Sequence, residues 1–160
     1  MVGAGGAGFP THVKLAARAE VLLANGAECE PLLRVDQQAM AAWAPELVAG
    51  MELMAGAVGA KRAVIALKRK YQPAADALRA EIARRSSRVE IVLLSSHYPA
   101  GDEQVLVYEA LGRVVPEGGL PLAVGAVVSN VGTLINVFRA SRGTPVTRNT
   151  PTDLNLVFPL

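Results

Sequence analysis

Residues 63–67, Ala63-Val64-Ile65-Ala66-Leu67, are an unbroken apolar run of strand length, and the residues on either side of them decide the fold. Gly59 precedes the run. After it, Pro73 to Arg85 reads as a helix with Ala74, Ala77, Leu78 and Ile82 on its inner side, and Val89 to Leu94 is apolar again. A short strand with no polar alternation is buried on both faces. Two such strands joined by an amphipathic helix are the sequence sign of a parallel βαβ unit.

Working outward, Val21-Leu22-Leu23-Ala24 is a further strand, closed by the turn pair Asn25-Gly26, and Val124 to Ser129 is another. On the N-terminal side Val13 to Glu20 reads as one short helix. Asp36 can cap a helix from Gln37 to about Trp43, and Pro45 to Gly56 places Leu47, Val48, Met51 and Met54 on a shared face. Tyr98-Pro99-Ala100-Gly101 makes a turn, and Asp102 or Glu103 opens a helix to about Leu111. Val114 to Ala123 is a loop or hairpin, and Asn130 or Thr133 starts a helix to about Ala140. The expected fold is α/β: a single three-layer domain over residues 1–140 with a mainly parallel, Rossmann-like sheet. Residues 141–160, marked by Thr144-Pro145 and Thr150-Pro151, form a turn-rich tail expected at the edge of that domain.

The chain of 160 residues suits one domain with a sizeable core. Its formal charge of +2 implies no nucleic-acid partner. The clusters Lys61-Arg62, Lys68-Arg69-Lys70 and Arg84-Arg85 have no interleaved aromatics and read as solvated helix ends. The single cysteine, Cys29, forbids an internal disulfide and cannot supply the thiolates of an iron-sulfur cluster. It lies between Glu28 and Glu30, which disfavour its thiolate, so cysteine hydrolase chemistry is not expected. His12 and His97 have no partners at metal spacing, so no metal site is expected, and Ser95-Ser96-His97 lacks a nucleophile elbow. With no apolar run of membrane-spanning length, a cytoplasmic location is expected, any membrane association coming through partner subunits.

The chemistry lies at the start: Gly3-Ala4-Gly5-Gly6-Ala7-Gly8-Phe9-Pro10-Thr11-His12-Val13-Lys14. Four glycines among alanines leave a backbone free of side-chain bulk, against which a flat or anionic ligand can lie. The helix start next to them would carry partial positive charge toward a phosphate. Gly3-x-Gly5-x-x-Gly8 matches the letters of the dinucleotide fingerprint. That fingerprint carries meaning only after a strand, and with only Met1 and Val2 before it here a plain Rossmann reading is not the expectation. Two acidic loops, Glu28/Glu30 and Asp102/Glu103, fall at strand ends on one sheet edge, where ligands of open α/β sheets bind. Like charges gathered there should raise the pKa of at least one of these four carboxyls.

The segment from Gly5 to Lys14, GGAGFPTHVK, closely resembles the flavin-binding loop of the complex I flavoprotein subunit and of the Rnf electron-transport complex C subunit. Further segments fit the same pattern in order: Asn25 to Pro31 with Asp36, Tyr98 to Glu103, and Asn130-Val131-Gly132-Thr133. NGAECEP, YPAGDE and GGLP look more like the Rnf subunit, while Ala4 departs from the arginine often found in complex I. The resemblance implies FMN as cofactor and NADH as hydride donor, with electrons passed to an iron-sulfur subunit or domain. It assigns cofactor contacts to Gly3, Gly5, Gly6, Ala7, Gly8, Phe9, Lys14, Asn25, Glu28, Glu30, Asp36, Tyr98, Gly101, Asp102, Glu103, Asn130, Val131 and Thr133. Within that set Lys14 faces the flavin phosphate, and Glu30, Glu103 and Phe9 orient the nicotinamide. The Rnf-like proteins continue into iron-sulfur domains whose residues are not in this stretch, so either a trimmed chain or a stand-alone relative with a separate acceptor subunit is expected. A non-catalytic nucleotide-binding or docking module with the same fold is the alternative.

Overall fold

The computed structural model describes residues 10–28 and 33–144. Chain order is α1 (Thr11–Ala16), β1 (Val21–Gly26), α2 (Val35–Ala42), α3 (Ala44–Val58), β2 (Arg62–Lys68), α4 (Gln72–Arg85), β3 (Glu90–Leu94), α5 (Glu103–Leu111), a 3-10 turn (Pro121–Val124), β4 (Ala126–Asn130) and α6 (Val131–Ser141). The four strands form one sheet in the order β3-β2-β1-β4, with every neighbouring pair parallel. The α/β expectation therefore holds.

Strand parity sorts the core into two layers, because successive side chains point to opposite faces. Leu22, Ala24, Ala63, Ile65, Leu67 and Val127 pack with α2, α3, α4 and α6 through Met40, Leu47, Met51, Leu78, Leu134 and Ile135. Val21, Leu23, Val64, Ala66 and Val128 lie on the other side with Leu106 and Val107 of α5. Helices thus cover both faces. The helices α3 and α6 pack closely at Gly50, where an added Cβ would lie 2.0 Å from the Leu134 carbonyl oxygen of α6.

Some boundaries differ from expectation, each for a physical reason. The first helix begins at Thr11 and ends at Ala16, because Ala17 turns extended and the amides of Ala19 and Glu20 donate to Val58 O and Gly125 O beside the sheet. Asn25-Gly26 is not a turn but the end of β1, in register with Ala66 and Leu67. Gly26 is packed so closely that a Cβ there would lie 2.7 Å from Met40 Sδ and 3.1 Å from Ala66 O. The segment before β4 is a loop with a 3-10 turn, and Gly125 reverses it at φ 73°. Residues 145–160 lie outside the described residues.

Candidate functional site

The chain moves outward from β1 to β2 and β3, then returns to lay β4 against the other side of β1. Strand order reverses between β1 and β4, the place where open α/β sheets bind ligands beyond their C-terminal strand ends. Asn25 and Asn130 sit side by side there in register.

Asn25 bridges two loops. Its Nδ2 donates to Gly101 O at 2.9 Å, while its Oδ1 accepts from Ala27 N at 3.1 Å. The Tyr98 to Gly101 turn is thereby tied to the end of β1, with the Tyr98 ring 80% exposed and open to a stacking partner.

Glu28 lies just beyond. Its Oε1 accepts from the amides of Val35 at 2.8 Å and Asp36 at 3.3 Å, the first two residues of α2. Arg34 at the N-cap makes no side-chain cap, so the carboxylate of Glu28 does that work from outside the helix. This corrects the expectation that Asp36 caps it. Asp36 lies inside the first turn, where Asn130 Nδ2 donates to its Oδ2 at 3.4 Å. Burial first, then the nearby charge of Glu28, push the Asp36 carboxyl up to about 7, against a smaller opposing pull from Asn130. The raised carboxyl is thus Asp36, which is not among the four acidic residues for which like-charge repulsion was expected to act, and burial is its first cause.

Asn130 is the N-cap of α6, its Oδ1 accepting from Gly132 N at 2.8 Å. Val131 and Thr133 are buried behind it. Lys14 comes in from α1, its Nζ donating to Val128 O of β4 at 2.7 Å. Burial lowers its pKa, and the charge of Glu103 partly offsets this. Asp102 is the N-cap of α5, its Oδ1 accepting from the amides of Gln104 at 3.0 Å and Val105 at 3.2 Å, with exposed Glu103 next to it. Lys14, Asn25, Glu28, Asp36, Gly101 and Asn130 are thus joined into one edge. Gly3, Gly5, Gly6, Ala7, Gly8, Phe9 and Glu30 lie outside the described residues.

One contributor is not evident from composition. Lys68 ends β2 with only 8% exposure, and its ammonium donates to the carbonyl of Glu28. It is a buried strand residue, not a solvated helix end. The available signal is parity: Val64, Ala66 and Lys68 share one strand face. Elsewhere, Ser95 Oγ lies 2.7 Å from both His97 Nδ1 and Glu109 Oε1. The hydroxyl stands between the other two, whereas a serine nucleophile needs the imidazole in the middle. Among the described residues no group of three or more His, Cys, Asp or Glu is placed to hold a metal, and no helix is long and apolar enough to cross a membrane.

The edge also offers unfilled hydrogen-bonding capacity. Thr11 Oγ1 on α1, Glu28 Oε2 after β1 and Ser129 Oγ on β4 are buried and lack a hydrogen-bond partner among the described residues. Buried polar atoms are rarely left so, and oxygens such as these suit the hydroxyl and ring N–H donors of a ribityl-flavin ligand.

Comparison with known proteins agrees with this arrangement. The family described as the Nuo51 FMN-binding domain matches residues 1–139. The cobalamin reductase PduS of Citrobacter freundii is 48% identical over 153 residues, which cover 95% of this chain and 33% of that protein. The C subunit of the proton-translocating ferredoxin:NAD(+) oxidoreductase complex of Clostridium ljungdahlii, an Rnf complex, is 39% identical over 157 residues, 95% of this chain and 34% of the relative. Among solved structures, NAD+-reducing NiFe hydrogenase in the air-oxidized state matches with a TM-score of 0.70 and 31% identity over 86% of this chain and 27% of that one. The chain spans about a third of the length of the curated relatives it matches.

Proposed function

The chain belongs to the family of the Nuo51 FMN-binding domain, and from that premise we propose that it holds FMN at the β1/β4 edge and accepts hydride from NADH. The observation that carries this reading is the edge itself. Half-buried Lys14, the Asp36 carboxyl raised to about 7, and the buried oxygens of Glu28 and Ser129 that lack partners among the described residues lie along the ends of β1 and β4, where the strand order reverses.

FMN, when bound, supplies a two-electron acceptor that can release its electrons singly, and the protein's share is placement and electrostatics. Lys14 and the α6 start at Asn130 to Thr133 hold the phosphate, and Gly3, Gly5, Gly6, Ala7 and Gly8 allow the ring to lie against backbone. Glu28 Oε2 accepts a hydrogen bond from the cofactor, while Phe9, Tyr98, Glu30 and Glu103 bind and orient the nicotinamide. Asp36 and Asn130 keep the two helix starts in place beneath it.

Electrons leave to an iron-sulfur subunit or domain, and any membrane association of this cytoplasmic domain comes through partner subunits. The relatives that are named as subunits of redox complexes support this part. The test is titration of FMN with the 160-residue chain, followed by fluorescence quenching, and then NADH oxidation with an artificial acceptor. Quenching that saturates, with FMN-dependent NADH oxidation, is expected. Protein that neither quenches excess FMN nor oxidises NADH would refute the proposal.

A further inference from the structure

Lys68 reaches the candidate edge from β2, whereas Asn25 and Asn130 reach it from β1 and β4. Its stem continues the face of β2 that carries Val64 and Ala66, and its ammonium meets the main chain of Glu28, just past the end of the neighbouring strand. No ion pair involving Lys68 occurs among the described residues. A buried ammonium whose one partner among the described residues is a carbonyl is costly to maintain, so a core of this kind would otherwise favour an apolar residue here.

The ammonium holds the first link of a continuous series. Lys68 fixes the Glu28 carbonyl, Glu28 Oε1 receives the Val35 and Asp36 amides, Asp36 receives Asn130, and Asn130 receives Gly132. The series crosses the strand ends from β2 over β1 to β4 and ends on the start of α6. Glu28 caps α2 with one oxygen while the other has no partner among the described residues, a division of roles that a fixed backbone at Glu28 would preserve.

We propose that Lys68 is a positioning residue for the cofactor edge: from β2 it sets the backbone of Glu28, so that one carboxylate oxygen caps α2 and the other stays available to the ligand. This rests on the FMN reading for its ligand half only. Its structural half can be tested without ligand.

The test compares Lys68→Met, which keeps the length of the stem but loses the charge and donors, with Lys68→Arg, which keeps both. Amide hydrogen exchange on the 160-residue chain should show Val35 and Asp36 losing protection about tenfold or more in Lys68→Met, with the amides of β2 unchanged, and Lys68→Arg restoring most of it. FMN affinity should fall about tenfold in Lys68→Met and recover in Lys68→Arg. Unchanged protection at Val35 and Asp36 would overturn the inference, as would unchanged FMN affinity in a Lys68→Met protein whose protection is lost. If the unmutated chain binds no FMN, the functional proposal falls, and the exchange data alone decide the role of Lys68. Should Lys68→Met not fold, Lys68→Gln enters the same comparison.

Discussion

The side-chain amide of Asn130 donates to the carboxyl of Asp36 across 3.4 Å, linking the start of α6 to the first turn of α2. This contact joins two segments more than ninety residues apart in sequence, directly beside the place where β1 and β4 end together.

The first prediction concerns the pH response of that pair. Burial and the charge of Glu28 raise the Asp36 carboxyl from 3.8 to about 7. Between those values the folded state holds a proton that the unfolded state has released. Stability from this group is therefore fully present below about pH 4 and is lost as pH rises through about 7. A rise of that size corresponds to about 4 kcal/mol as a ceiling, and water reaching the partly buried carboxyl reduces it to about 2 kcal/mol. Asp36→Asn should remove that slope and gain stability at pH 8, as read by urea denaturation at pH 5 and pH 8. Identical pH slopes in the two proteins would contradict the assignment.

The second prediction is that Glu28→Ala costs about 1 to 2 kcal/mol of stability, the usual loss when a cap is removed. Glu28→Gln should cost less, since an amide oxygen can still meet Val35 N. It should also lower the Asp36 titration midpoint by removing a like charge. NMR titration of the Asp36 carboxyl in both proteins checks this, and an unmoved midpoint would place the cause in burial alone.

Gly50 provides a third. A Cβ there meets the backbone oxygen of Leu134, which cannot rotate aside as a side-chain end could. Gly50→Ala must push α3 and α6 apart and should cost about 3 kcal/mol or more by denaturant unfolding. A loss below about 1 kcal/mol would show that the helices separate freely.

The fourth separates a phosphate contact from a scaffold role for Lys14. Its ammonium already donates to Val128 O, yet an ammonium has three donors. If it also meets the FMN phosphate, Lys14→Met should weaken FMN binding about tenfold to a hundredfold while leaving riboflavin nearly unaffected. Added salt should shrink the difference. Equal weakening of both ligands would assign Lys14 to holding α1 on β4.

How much of this was legible in the sequence depends on whether the cause is local. The strands at Val64 to Leu67 and Leu22 to Ala24 declare themselves, because a run buried on both faces must be apolar throughout. Asp102 and Asn130 are caps written next to the helices they cap. The cap on α2 is different. Glu28 stands seven residues before Val35, too far for a local capping pattern, so nothing in the sequence marks its carboxylate as the cap of that helix. Lys68 is obscured by its neighbours Arg69 and Lys70, since charge clustering suggests solvent, whereas only Lys68 lies within β2, on the face of Val64 and Ala66, and the strand ends before the other two. The pairing of Asp36 with Asn130 depends on which strand neighbours β1, and strand order is a property of the whole chain.

The central position of β1 has a consequence for how the molecule is made. Its partner β4 begins more than one hundred residues later, so one wall of the crevice is synthesised well before the other. β1, β2 and β3 can assemble in chain order through single crossovers between consecutive strands, whereas docking β4 on β1 must close a longer loop and comes late in assembly. Until it docks, Asn25 has no Asn130 beside it and Lys14 has no Val128 carbonyl to hold. A ligand that needs both walls cannot template the early stages of folding. It can only be loaded once β4 is in place, and it would then act as a lock on the β1–β4 pair.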